Sequence, residues 1–163
     1  DFAELAPTEG GLVDAMCGEM NRHIQETQAE RQPWVWIIQT VLNEISIGRY
    51  RYAFKFAEYH RTGEPVPVLL LRPQHITAHL SSEVALREQW HGMPIKTHRV
   101  LRQQLVNAGV LFKRDGDSDR FDVTIDGKRE CHLVALDLQK LEQYSLHAST
   151  PKELDSIEDL FND

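Results

Sequence analysis

The densest chemistry in the chain lies between residues 96 and 114. Lys96, Arg99, Arg102, Lys113 and Arg114 are five cations with no acid among them, and His98 and Gln103 stand between them. On a helical wheel of about 100° per residue, Leu101, Gln104, Leu105 and Ala108 share one side, and Arg99, Arg102, Gln103 and Val106 share the other. Arg and Gln are the side chains that pair with guanine and adenine edges in the major groove. Lys96, His98, Lys113 and Arg114 suit phosphate oxygens, and Lys128 and Arg129 on a later hairpin would support them. The plainer reading is a core helix whose solvent side happens to be cationic. The loop that follows, "DGDSDRFD", sets four acids against Arg120, and like charges there repel phosphate.

The histidines suggest a different chemistry. "HITAH" puts His75 and His79 four apart, the spacing of two metal ligands on one helix face. A hydrolytic zinc helix also needs Glu after the first His, and Ile76 stands there. We therefore read these as packing or surface histidines and expect no metal and no cofactor. No phosphate loop, nucleophile elbow or dinucleotide-binding turn is present either. Nothing points to catalysis, so the expectation is a non-catalytic chain. Cys17 and Cys131 lack zinc spacing and are read as reduced thiols.

The elements that must position these residues are legible in outline. Residues 12–24 repeat apolar side chains at helical spacing. "PWVWIIQTVLNEISIG" is a stronger helix, opened by Pro33 and stopped by Gly48. Alternating aromatics predict a strand over residues 49–60, and "VPVLLLR" a buried strand, with Pro67 either placing it near an edge or marking its beginning. Pro73 opens a further helix, Ser81 or Ser82 is expected to cap the next, and Thr97 caps residues 98–108 with Gly109 as the stop. "VLFKR" is strand-like, Asp126-Gly127 joins "RFDVTI" to "KRECHLVAL" as a hairpin, and "DLQKLEQYSL" reads as a short helix.

The net charge of −7 at first argues against nucleic acid. Residues 1–30 carry −6 and residues 153–163 carry −5, so of the −7 total the remaining residues 31–152 hold +4. The acidity is in the ends, and the middle remains open to an anionic partner. We expect an acidic helical extension over 1–30, one domain over 31–147, and an acidic tail over 148–163. In that tail Leu154, Ile157, Leu160 and Phe161 recur at helical spacing, either as a partner-docking helix or as a solubilising end. No apolar run is long enough for a membrane helix, and no secretory leader precedes the chain, so a cytoplasmic location without membrane contact is expected. The first residue is Asp rather than Met, which suggests a piece cut from a longer protein.

Helix, strand, helix, capped helix and hairpin is the order of a winged helix-turn-helix. The expected fold is α+β, a winged-helix-like domain with N-terminal helices and a C-terminal hairpin wing. The segments "NEISIGRYRY", "FAEYH", "PVLLLRPQHITAHL", "RVLRQQLVNAGVL" and "TIDGKRECHLVAL" follow one another in a familiar order. From about Trp34 to Leu138 the chain resembles the C-terminal domain of TraI-type (MobH) conjugative relaxases and related proteins of integrative and conjugative elements. That resemblance implies a non-catalytic accessory domain that positions DNA for a catalytic domain elsewhere. The competing expectation is a protein-interaction module, in which a winged helix serves assembly and the acidic tail engages other DNA-processing proteins.

Overall fold

A computed structural model describes residues 32–60, 63–113 and 119–157. The expected helix of residues 12–24 lies outside these residues, as do Cys17, Arg114, Leu160 and Phe161. The described residues form an α+β fold of five helices and a mixed, curled five-stranded sheet. None of the described helices is long and apolar enough to cross a membrane.

Helix α1, Pro33–Ser46, begins where Pro33 supplies a fixed φ and needs no intrahelical donor. It buries Trp34, Val35, Ile37, Ile38, Val41 and Leu42. Gly48, at φ 77°, lets the chain leave the helix through the left-handed region. Strand β1, Phe54–Tyr59, is shorter than the aromatic alternation suggested. The amides of Arg49 and Tyr50 instead donate to the Glu44 carbonyl, at 2.8 and 3.2 Å, closing the end of α1. Those residues are thus spent on the helix terminus before a ladder can begin.

Strand β2, Val66–Leu71, pairs antiparallel with β1 from Tyr59↔Val66 to Phe54↔Leu71. Its other edge pairs with β4, Lys128–Asp137, from Val68 to Leu71. A central strand covered on both faces explains the nearly unbroken apolar run. Pro67 sits one residue before the β4 ladder starts, where its missing N–H costs nothing to that ladder.

Helix α2, Pro73–Ser82, follows at once, and α3 covers Val84–His91. Neither Ser81 nor Ser82 caps α3, contrary to the sequence expectation. Both lie in the last turn of α2, with their hydroxyls donating to the carbonyls of Ala78 and His79. Glu83 turns the chain through an extended backbone instead. Helix α4, His98–Ala108, has the anticipated ends: Thr97 Oγ1 accepts from the Val100 amide at 3.3 Å, and Gly109 stands at φ 72°.

Over residues 110–113, the described part of the expected strand that runs to Arg114, there is a single bridge, Leu111↔Leu136. Strand β3, Phe121–Ile125, resumes along the same edge of β4. Asp126 and Gly127, at φ 51° and 80°, make the two-residue hairpin turn. Two positive φ values match the right-handed twist of the strands they join. Helix α5, Leu138–Glu142, is capped by the Asp137 carboxylate, which accepts from the amides of Gln139 and Lys140. Finally β5, Asp155–Ser156, pairs parallel with Ala57 and Glu58 of β1, which gives the order β3-β4-β2-β1-β5.

Alternation along the strands builds two cores. Phe56, Leu69, Leu71, Val134 and Leu136 meet the helices. Ala57, Val68, Leu70, Leu133 and Ala135 join Phe121, Val123, Ile125 and Ile157 on the opposite face. The hairpin folds its apolar residues back against the sheet, so the curl of the sheet encloses its own second core.

Part of the expected free tail is therefore structural. Ile157 is fully buried in the second core, Leu154 packs on the first, and Asp155 pairs with Lys55 at 2.8 Å. Asp155 and Ser156 add a short parallel strand at the sheet edge, and that pairing sets Ile157 into the second core.

Candidate functional site

A groove of about 630 Å³ opens where three elements meet. One wall is the start of α2, with Arg72, Pro73 and Gln74. The second is the first turn of α4 and the residue beyond it, with His98, Arg99 and Arg102. The third is the approach to β3 and the middle of β4, with Asp119, Arg120 and His132 above a floor of Leu133 and Val134. Four guanidinium groups and two imidazoles thus surround a single carboxylate among the described residues.

The topology explains the convergence. Strands β2 and β4 are neighbours, with Leu71 opposite Val134, so the chain leaving β2 at Arg72 enters α2 beside the middle of β4. Leu101 and Leu105, both fully buried, hold α4 down and turn His98, Arg99 and Arg102 toward that junction. Helix geometry leaves the amides of Gln74, His98 and Arg99 without intrahelical acceptors. The positive ends of two helix dipoles therefore add to the arginine charge in the groove.

Arg102 and Asp119 form an ion pair at 2.5 Å, with the Arg102 side chain about half exposed. Arg120 donates to Nδ1 of His132, which keeps that ring nitrogen an acceptor. His132 itself has φ 62°, in the middle of a strand, where a side chain other than glycine is strained. Its amide donates to the Asp122 carboxylate at 2.9 Å, beside the register shift between Phe121 and Val123. The bulge and this bond hold the imidazole on the groove wall.

Of the sequence candidates, Arg99, Arg102 and His98 come together in the groove. Gln103 does not line it; its amide donates to Asn107 Oδ1 at 2.9 Å on the exposed side of α4. Val106, placed on the outer side by the wheel, packs partly against the main core. Lys96 donates to the His91 carbonyl, and Lys113 is exposed outside the groove. Lys128 and Arg129 are exposed at the hairpin tip, where Lys128 lies 3.9 Å from Glu130. Arg72, Gln74, Arg120 and His132 are the groove residues that sequence reasoning missed. Only Arg72 carried a local signal, a cation immediately before a helix-opening proline.

The two histidines of "HITAH" have other partners. His79 Nε2 meets Glu44 Oε1 at 3.1 Å in the core, beneath the ring of Tyr50. Burial, and then the charge of Tyr52, pushes the Tyr50 hydroxyl well above the usual phenol range. His75 stacks on Tyr52 with centroids 4.8 Å apart. Burial, followed by the charges of Arg72 and Lys128 against the opposing Glu130, holds its pKa below the ordinary 6.5. Among the described residues no three His, Cys, Asp or Glu side chains gather as a metal-binding set. Compared with protein-family models, with curated proteins and with solved structures, the chain finds no match in any of the three.

Proposed function

We propose that this chain is a non-catalytic nucleic-acid-binding domain, and that the arginine groove is where it holds the phosphate backbone. The observation that carries the reading is the convergence of Arg72, Arg99, Arg102 and Arg120 on one concavity in a chain whose total charge is −7. Guanidinium forks match phosphate geometry in pairs, and charge-assisted bonds of this kind are the strong ones. In the winged-helix reading, β2, α2, α4 and the β3–β4 hairpin are the first strand, the helix-turn-helix and the wing, with α4 in the recognition position. The resemblance to the terminal domain of conjugative relaxases supports a role in positioning DNA for chemistry done elsewhere.

Of the acids that stood against this reading in the sequence, Asp119 is paired with Arg102, so that its charge and one of the groove's cations offset each other. The rival reading, a protein-assembly module engaging partners through its tail, loses Leu154 and Ile157 to the protein's own cores. The experiment is a fluorescence-anisotropy titration with short single- and double-stranded DNA at two salt concentrations. Binding that weakens steeply with salt, and at least tenfold weaker binding by a folded Arg72→Ala/Arg99→Ala/Arg102→Ala variant, is the expected result. Unchanged affinity in that variant refutes the assignment.

A further inference from the structure

Among the described residues, Asp119 is the one acid that lines the groove. Asp119 Oδ1 lies 2.5 Å from the Arg102 guanidinium, on a wall shared with Arg99 and Arg120. A carboxylate and a phosphate offer the same fork of oxygens to arginine. The space of about 630 Å³ is of small-ligand size, too confined for the side of a duplex and suited to one or two nucleotides of a single strand.

We propose that the groove is a phosphate site for single-stranded nucleic acid, and that Asp119 is its built-in competitor, displaced from Arg102 when a phosphate enters. This rests on the nucleic-acid reading above for the strand, though not for the phosphate. Binding is an exchange of one anion for another on Arg102, with no covalent step. Affinity is thereby held below what the groove would give with Arg102 unpaired. With Asp119 beside it, Arg102 adds no net positive charge to the groove, so a phosphate drawn there releases few of the strand's condensed cations and the contact adds little to the salt dependence. The opposing charges, Arg72 and the first turns of α2 and α4, keep the entering phosphate in place after the carboxylate has left.

The test compares the full chain with Asp119→Asn and Asp119→Ala, and with Glu88→Gln as a control that removes one negative charge on the exposed side of α3. Two probes are titrated calorimetrically, inorganic pyrophosphate and a short oligothymidylate, at several salt concentrations. Both Asp119 variants are expected to bind both probes about fivefold tighter. The slope of log K against log salt should steepen for the oligonucleotide by roughly 0.7, one added single-strand phosphate contact, while Glu88→Gln changes neither. If the oligonucleotide binds the unaltered chain but the Asp119 variants match it, the competitor role is overturned and the nucleic-acid reading survives. If pyrophosphate binding tightens while the oligonucleotide never binds, the phosphate site and its competitor stand and the nucleic-acid reading falls. Equal tightening in Glu88→Gln, or no binding of either probe, overturns the proposal.

Discussion

The Glu44 carboxylate and Nε2 of His79 meet at 3.1 Å inside the core, 35 residues apart in the chain. Glu44 comes from the last turn of α1 and His79 from the last turn of α2, so the pair ties together the helices on either side of the β1–β2 hairpin. Removing one partner strands the other without water. Glu44→Ala is expected to lose about 2 kcal/mol of unfolding free energy, the scale for leaving a buried hydrogen-bonding group without its partner. The apolar double replacement Glu44→Met/His79→Phe should lose clearly less than the sum of its single variants. Urea denaturation of the four proteins measures both, and a loss below about 1 kcal/mol for Glu44→Ala would mean the pair is energetically idle.

His75 predicts a pH dependence of stability. Its folded pKa is lowered by burial and by Arg72 and Lys128, with Glu130 opposing. On acidification the unfolded chain takes up the proton first, near the ordinary value of 6.5. The folded state is therefore fully favoured above that pH and loses ground as pH falls from it toward the lower folded pKa. His75→Phe keeps the stack on Tyr52 and removes the proton site. Melting temperatures followed from pH 7.5 down to pH 5 should fall less for His75→Phe than for the unaltered chain. Parallel curves would show that His75 does not contribute.

The elements with local punctuation were legible in the sequence. Pro33 and Gly48 bound α1, Thr97 and Gly109 bound α4, and Asp126-Gly127 makes the hairpin, each through a backbone preference of that residue type. The ends of strands were not. The expected strand loses its start because the Glu44 carbonyl claims the amides of Arg49 and Tyr50, a contact set by the exit from α1. Half of the groove was legible, since Arg99 and Arg102 share a helix. Arg72, Arg120 and His132 reach them only because β2 and β4 pair, and no spacing along the chain records that pairing. The pairing of Asp119 with Arg102 was not legible either, as the two lie 17 residues apart in the chain.

His132 separates strain from binding. At φ 62° a glycine is unstrained, whereas a β-branched residue is a steric outlier. His132→Gly is expected to change stability by less than about 1 kcal/mol, because relief of strain offsets glycine's entropy cost. His132→Val should destabilise by about 1–2 kcal/mol. Both remove the ring that faces Arg120 on the groove wall, so each should bind an oligothymidylate about threefold more weakly. Thermal melts and anisotropy titrations of the same two proteins read the two effects. Full retention of affinity in His132→Gly would show that the strained residue serves the hairpin rather than the groove.

Ile157 decides what the end of the chain is for. It is fully buried against Ala57, Leu70 and their neighbours in the second core, beside the parallel pairing of Asp155 and Ser156 with β1. If its contribution is to the fold, Ile157→Ala leaves a cavity in a packed interior and costs about 2–4 kcal/mol. Lys55→Ala, which breaks the more exposed pair with Asp155, costs no more than about 1 kcal/mol. A partner-docking segment would behave the opposite way: Ile157→Ala would leave the melting temperature unchanged and abolish an interaction. Differential scanning calorimetry of the two variants separates these cases. A drop in melting temperature for Ile157→Ala that is clearly larger than for Lys55→Ala assigns residues 155–157 to the folded domain in solution, and truncations meant to remove a tail should then begin after Ile157.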